Sequence, residues 1–320
     1  MRVVVLAGGY GGAKLSHGVA LAASAREPAP ELTVIVNTGD DLELHGLLVC
    51  PDLDTVLYTL AGLANEETGW GVRDETWSAA EMLARYGAPT WFRLGDRDFG
   101  THIMRMHRLR TGARLTTVEA ELVEALGVRA RLLPMSDDRV RTELRIDAGW
   151  LAFQDYFVRR HHEDAVHEIR FTGIDSARPT REVLAAIADA ERILFAPSNP
   201  FVSIGTILAL PGIVEALAAA RAPIVAVSPL IGGAAVRGPA DRMFVSLGGE
   251  ASALGVGRHY VERYPGLLDG LVIDEVDAGQ ADALRALGLA VRVAPTLMLT
   301  TEDRCRLALE VLAFADQLAG

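Results

Sequence analysis

Only two cysteines, Cys50 and Cys305, occur in 320 residues. Two thiols are too few for a disulfide framework or a cysteine-rich metal centre and fit a reducing compartment, so both read as small buried apolar residues. Positive charge is also scarce: 31 Lys and Arg stand against 42 Asp and Glu, a net charge of −11. That balance opposes binding of a phosphate backbone, which argues against a nucleic-acid partner but leaves room for a local basic pocket that takes one nucleotide. No apolar run reaches the roughly 18 residues of a membrane-spanning helix. The amino terminus enters a strand-like run without the basic and apolar regions of a signal peptide. A cytoplasmic protein with no membrane partner is the expectation. There is no Gly-x-Ser-x-Gly elbow of a serine hydrolase, no internal repeat and no low-complexity linker. Half the residues are hydrophobic and 23% are charged, so nothing in the composition suggests disorder.

The chain does carry an alternation of short apolar runs and helical periods. Strand-like runs bounded by turn residues fall at Val3–Ala7, Leu32–Asn37, Ala130–Leu133, Ile193–Ala196, Ile224–Ser228, Leu271–Ile273 and Ala290–Val293. Helical spacing follows at Leu15–Ala25, Arg181–Ala190, Ile204–Ala220 and Thr301–Leu318. Alternation of this kind argues for an α/β fold: a doubly wound, Rossmann-like, mainly parallel sheet covered by helices on both faces. Two stretches interrupt it. Residues from about Thr55 to Leu126 read as a helical insertion, and Thr142–Gly173 reads as short strands with a turn at Asp147-Ala148-Gly149, a small antiparallel subdomain within a single domain over 1–320.

In open parallel sheets ligands bind beyond the carboxyl ends of the strands, so the loops there are the places to search. The first run ends in Gly8-Gly9-Tyr10-Gly11-Gly12-Ala13-Lys14. Glycines let backbone N–H groups surround an oxyanion, and a helix beginning after them adds the positive end of its dipole, so phosphate is the natural guest. The spacing fits neither the dinucleotide fingerprint, whose third glycine is replaced by Lys14, nor the Walker A loop. A tight turn without a ligand is the competing reading. The second run leads to Asn37-Thr38-Gly39-Asp40-Asp41, followed by Cys50-Pro51-Asp52-Leu53-Asp54-Thr55. Carboxylates beside a phosphate suit a hard cation such as Mg²⁺, and Asp41 and Asp54 are the metal candidates. Asp54 could also orient or deprotonate a hydroxyl nucleophile, which makes Asp54 and Asp41 the catalytic candidates. Asp40, Asp41 and Asp52 read equally well as caps of helices or turns.

Arg93-Leu94-Gly95-Asp96-Arg97-Asp98, with Thr101-His102 after it, suits an anion-binding loop or a surface ion-pair cluster. His102 reads as a proton carrier or as a structural histidine. Pro197-Ser198-Asn199-Pro200 restrains two polar side chains at the ligand edge, and Ser203 could cap the next helix or meet phosphate. Ser228-Pro229-Leu230-Ile231-Gly232-Gly233 is a third loop of the same kind. Arg159-Arg160-His161-His162 reads as a solvated surface turn.

Together the Gly8–Lys14 loop, Val36–Asp41, Pro51–Tyr58, Leu94–Asp98, Leu133–Asp138, Pro197–Pro200 and Ser228–Gly232 resemble, in this order and over nearly the whole chain, the 2-phospho-L-lactate transferase family of coenzyme F-420 assembly. The resemblance implies a Mg²⁺-dependent enzyme that moves a phospholactate or phosphoenolpyruvate group from a GDP-activated donor to the deazaflavin Fo, with release of GMP. It implies acceptor contacts at Asp54 and Arg93 and a homodimer. Within that frame Gly9, Gly11, Gly12 and Lys14 are assigned to the diphosphate, and Ser198 and Asn199 to the nucleotide site. Two other readings stand beside it: a sugar-nucleotide-binding regulator of the same superfamily, and an NAD-dependent dehydrogenase, which Asn37 disfavours because an acidic residue should hold the ribose there.

Overall fold

Strands buried at almost every position need cover on both faces, and six of them assemble with a half-buried edge strand into one parallel sheet. The computed structural model describes residues 1–24 and 29–319. From edge to edge the order is Ala290–Val293, Gly270–Ile273, Ile224–Val227, Arg192–Phe195, Arg2–Ala7, Glu31–Val36 and Arg131–Pro134, and every pairing is parallel. Alternate side chains serve opposite faces. Val4 and Leu6 join the core on one side; Val3, Val5 and Ala7 join the core on the other.

The chain starts in the middle of the sheet, winds outward through Glu31–Val36 and Arg131–Pro134, then returns to Arg192–Phe195 on the other flank of the first strand. That reversal places a crevice beyond the carboxyl ends of Arg2–Ala7 and Arg192–Phe195, the position at which doubly wound sheets take ligands. All seven expected strands are present, with ends shifted by a residue at most.

The interruptions are real elements. The helical insertion contains Pro51–Leu60, Ser78–Arg85, Asp96–Arg110 and Leu115–Ala125. The later one is a three-stranded antiparallel sheet, ordered Gly149–Ala152, Arg141–Ile146, Glu168–Thr172, with Ile146 opposite Gly149 across the expected turn. Thr301–Leu318 begins with a capping box between Thr300 and Asp303.

Three helices depart from expectation. The first runs Gly9–Ser24, so the glycine segment is the opening turn of the helix and not a loop before it; Ala25 lies outside the described residues. Arg181–Ala188 stops two residues early. The helix expected over Ile204–Ala220 is two, Ile204–Ala209 and Ile213–Ala219, because Pro211 has no N–H to continue the ladder and its ring would clash with the preceding turn.

Candidate active site

A cavity of about 600 Å³ opens at the switch point, within the range of small-molecule sites. Its floor is the glycine turn. Gly9 has φ of +60°, a conformation costly for a side chain, and turns the chain from strand into helix. Gly11 allows the helix to touch the Pro197 turn: a Cβ there would lie 2.3 Å from the Pro197 carbonyl oxygen. Gly8, Gly9, Gly11 and Lys14 all line the cavity. Gly12 does not; it is buried against Ala7 and serves packing.

Ser198 and Asn199 line the same cavity, with their polar groups engaged in building its edge. The Ser198 hydroxyl donates to the Gly8 carbonyl at 2.7 Å and accepts the Gly8 N–H at 3.1 Å, stitching the two strand ends together. Asn199 Oδ1 accepts the N–H groups of Phe201 and Val202, an Asx turn between the two prolines. Lys14 donates to the Met298 carbonyl at 2.6 Å and lies 4.3 Å from the Tyr10 ring centre. Burial, together with Arg304 and Arg237, lowers its pKa.

No motif marks Arg237 as part of the site. It reaches across from the loop after Ala234–Ala235, donates to the Thr68 carbonyl at 2.6 Å and lies 4.6 Å from the Tyr10 ring centre, so a second cation stands beside the glycine turn.

The carboxylates divide into two groups. Asp40 and Asp52 line the cavity; Asn37 Nδ2 donates to Asp52 at 2.9 Å. Burial raises the pKa of Asp40 well above the usual range, with Asp52 adding to the effect, and burial pushes Asp52 up to about 6. Asp52 also accepts from the Gly9 N–H, so it caps the glycine helix as one of the two sequence readings held. Asp41, by contrast, is not part of the cavity wall. It accepts the Cys50 thiol at 3.1 Å, and burial pushes it up to about 8. Cys50 is buried as expected, whereas Cys305 is only half-buried.

The raised Asp41 has a consequence for stability. Between its ordinary value of 3.8 and about 8 the folded chain holds a proton that the unfolded chain releases. The stability tied to that proton is present at low pH and lost as pH rises toward about 8. The Asp41→Asn variant is therefore expected to show a flatter Tm than the wild type between about pH 5 and 8, measured by thermal melts; parallel profiles would refute the assignment.

Asp54 does reach the cavity, from the first turn of helix Pro51–Leu60. Its carboxylate is gripped by both terminal nitrogens of Arg105, Nη1 at 3.2 Å, and accepts the Cys50 N–H at 3.3 Å. Arg105 comes from helix Asp96–Arg110 and is completely buried. Its Nη1 also lies 3.3 Å from His102 Nδ1. An arginine can only donate, so Nδ1 accepts and the proton of a neutral ring is assigned to Nε2, which faces Asp98 at 3.2 Å. His102 thus takes its hydrogen bond at Nδ1 and lines the cavity wall. Burial opposes a charge on Asp98, but His102 and the Tyr58 hydroxyl, 2.8 Å away, hold its carboxyl below the usual range.

Arg93 stands at the mouth with its guanidinium 4.0 Å from the Trp77 ring centre. The Arg159-Arg160-His161-His162 run is an exposed turn as far as His161, as expected, but it is also part of the cavity. It follows a π-helical turn, Asp155–Arg159, and His161 and His162 line the cavity with φ of 53° and 47°. The His162 ring stacks on Phe157, which stacks on Phe153, with centroid separations of 5.1 and 5.5 Å. Arg159 lies over Trp91. Left-handed backbone at two successive non-glycine residues is costly and concentrates at functional sites, but no pattern in the sequence announces it.

Among the described residues no group of three or more His, Cys, Asp or Glu is arranged to hold a metal ion, and no helix is long and apolar enough to cross a membrane. The profile of a family described as 2-phospho-L-lactate transferase CofD matches residues 3–297. The chain is 50% identical to a protein named phosphoenolpyruvate transferase from Kitasatospora aureofaciens, covering 99% of each. It is 47% identical to one of the same name from Mycobacterium avium (strain 104), covering 100% of this chain and 99% of the relative. A crystal structure of a UPF0052 family member from Bacillus halodurans superposes with a TM-score of 0.66 at 17% identity, covering 97% of this chain and 98% of that one, a likeness of fold alone.

Proposed function

Because the chain belongs to the 2-phospho-L-lactate transferase CofD family and is an enzyme that transfers a phosphate-containing group, we propose that it moves phosphoenolpyruvate from enolpyruvyl-2-diphospho-5'-guanosine to Fo. The names of relatives 43–50% identical favour the enolpyruvyl donor over the lactyl one. The observation that carries the two-substrate reading is a single cavity lined by the glycine turn, Lys14, Asp54 and Arg93 together. One site of this kind can hold a diphosphate and an acceptor hydroxyl against each other.

In this reading the primary hydroxyl of the acceptor's ribityl chain attacks the phosphorus that bears the enolpyruvyl group. The bond from that phosphorus to the GMP oxygen breaks, GMP leaves with the electron pair, and the hydroxyl proton passes along its hydrogen bond to the Asp54 carboxylate and from there to water. Asp54 accepts the hydrogen bond of the attacking hydroxyl, held in one plane by Arg105. Lys14, Arg237 and the N–H group at Gly11 offset the diphosphate charge, while the Gly9 N–H is already taken by Asp52, and Arg93 fixes the acceptor at the mouth. Most of the catalysis is positioning and charge neutralisation, as in phosphoryl transfer generally.

The residues fit a hard cation. Asp40 Oδ1 is buried with no hydrogen-bond partner, and burial together with the charge of Asp52 disfavours its ionised form, a cost that a divalent ion would offset. Asp40 and Asp52 would hold Mg²⁺ in preference to the expected pair, since Asp41 is turned to Cys50 and Asp54 is matched to Arg105. When bound there, Mg²⁺ would neutralise charge on the phosphate oxygens.

The test is incubation of the protein with Fo and each GDP-activated donor in Mg²⁺, following GMP release and the product mass. Turnover with the enolpyruvyl donor is expected. Absence of turnover with either donor, or thermal stabilisation by NAD or UDP-sugars and not by GDP, overturns the proposal.

A further inference from the structure

Glu119 takes no part in the reaction described above. It sits on helix Leu115–Ala125 with no solvent exposure, and neither carboxylate oxygen has a hydrogen-bond partner. Its neighbouring cation is Arg105, whose Nη2 lies 3.7 Å away. Arg105 in turn directs both terminal nitrogens to Asp54. Three helices thus carry a buried row, Glu119, Arg105 and Asp54, that ends at the cavity wall.

Folding does not require such a row. Buried ion pairs are often replaceable by apolar residues without loss, and a second carboxylate behind an arginine already matched to Asp54 has poor hydrogen-bond satisfaction. Its position gives it one electrostatic effect on the site: it competes with Asp54 for the same guanidinium. Without that competition Arg105 would draw the Asp54 charge away from the cavity and make Asp54 a weaker acceptor for the attacking hydroxyl.

We infer that Glu119 is a positioning residue that acts through Arg105, drawing the guanidinium back so that the charge of Asp54 stays available to the acceptor. The groups that act on Glu119 are Arg105, from helix Asp96–Arg110, and Asp54, from helix Pro51–Leu60. Burial pushes the Glu119 carboxyl up to about 7, consistent with a group poised between two charge states. This inference rests on the transferase reading.

The experiment is a double-mutant cycle on GMP release from the enolpyruvyl donor with Fo. Glu119→Gln keeps shape and removes charge. It is expected to lower kcat about tenfold while leaving KM for Fo and the Kd of GDP within a factor of about two. Its Tm should not fall, since it removes a poorly satisfied buried charge. In an Asp54→Asn background, assayed with excess enzyme, the same substitution should change nothing further, because the residue it acts on is neutral. Unchanged kcat in Glu119→Gln, an equal loss in both backgrounds, or a loss that follows a lowered Tm each overturn the inference. No GMP release from the wild-type enzyme overturns the transferase reading and this inference with it.

Discussion

Arg105→Met is expected to lose about 3–5 kcal/mol of unfolding free energy, the range for removing one partner of a buried ion pair, read as a lower urea midpoint. Arg105 is fully buried between Asp54 and Glu119, so its loss strands one carboxylate with no exposure, Glu119, and one with little, Asp54. Such carboxylates avoid the cost by taking up protons, which raises their folded pKa above the unfolded value. The sign follows from linkage. The penalty is greatest where the unfolded chain would have both groups ionised, and it shrinks as pH falls toward the ordinary carboxylate range. Urea titrations at neutral and mildly acidic pH should therefore show the variant closing on the wild type as pH drops. A loss below about 1 kcal/mol, the worth of an exposed pair, or a gap that widens on acidification would contradict the burial. Arg105→Lys keeps the charge but loses the fork, and should recover stability better than turnover.

Gly11→Ala tests the switch point itself. Helix propensity alone favours alanine by about 1 kcal/mol, so propensity and packing make opposite forecasts here. Packing should win: the new methyl would meet the Pro197 carbonyl oxygen at 2.3 Å, and that oxygen is backbone, unable to turn aside. Overpacking of this kind costs about 1–3 kcal/mol. Relief requires the glycine helix to move away from the Pro197 turn, which widens the gap bridged by Ser198, so GDP affinity should fall more than stability does. Gly100→Ala is the control. Gly100 lies in helix Asp96–Arg110 with nothing within 4 Å of a built Cβ, so the substitution should stabilise by up to about 1 kcal/mol. Equal behaviour of the two variants in melts and GDP titrations would remove the close approach from the account.

The sheet was legible because strands covered on both faces are short, continuous apolar runs, and Val3–Ala7 or Ile224–Val227 can be little else. The helix break at Pro211 was equally legible in principle but was outweighed by apolar spacing on either side. The charged interior was hidden for a physical reason. Arg105 and Glu119 sit in helices among other charged residues, where sequence periodicity reads a charge as facing water; only the packing of three helices against one another reveals that these two face each other. Arg237, His161 and His162 were hidden differently. They lie on loops whose approach to the cavity depends on a π-helical turn and left-handed backbone, neither of which leaves a periodic trace. Asp54 and Arg93 could be placed at the site from their motifs, but the Arg105 grip on Asp54 could not.

The Ser198 hydroxyl joins strand ends 190 residues apart in the chain. Its consequence is temporal. The first strand leaves the ribosome early and can pair with Glu31–Val36, but its other edge stays open until Arg192–Phe195 has been made. Contacts so distant in sequence close slowly. A nascent chain truncated before Arg192 should therefore hold the glycine turn, Lys14 and Asp54 and still have no crevice, so the ability to bind a nucleotide would arise late in synthesis, in one step, when the central strand gains its second neighbour.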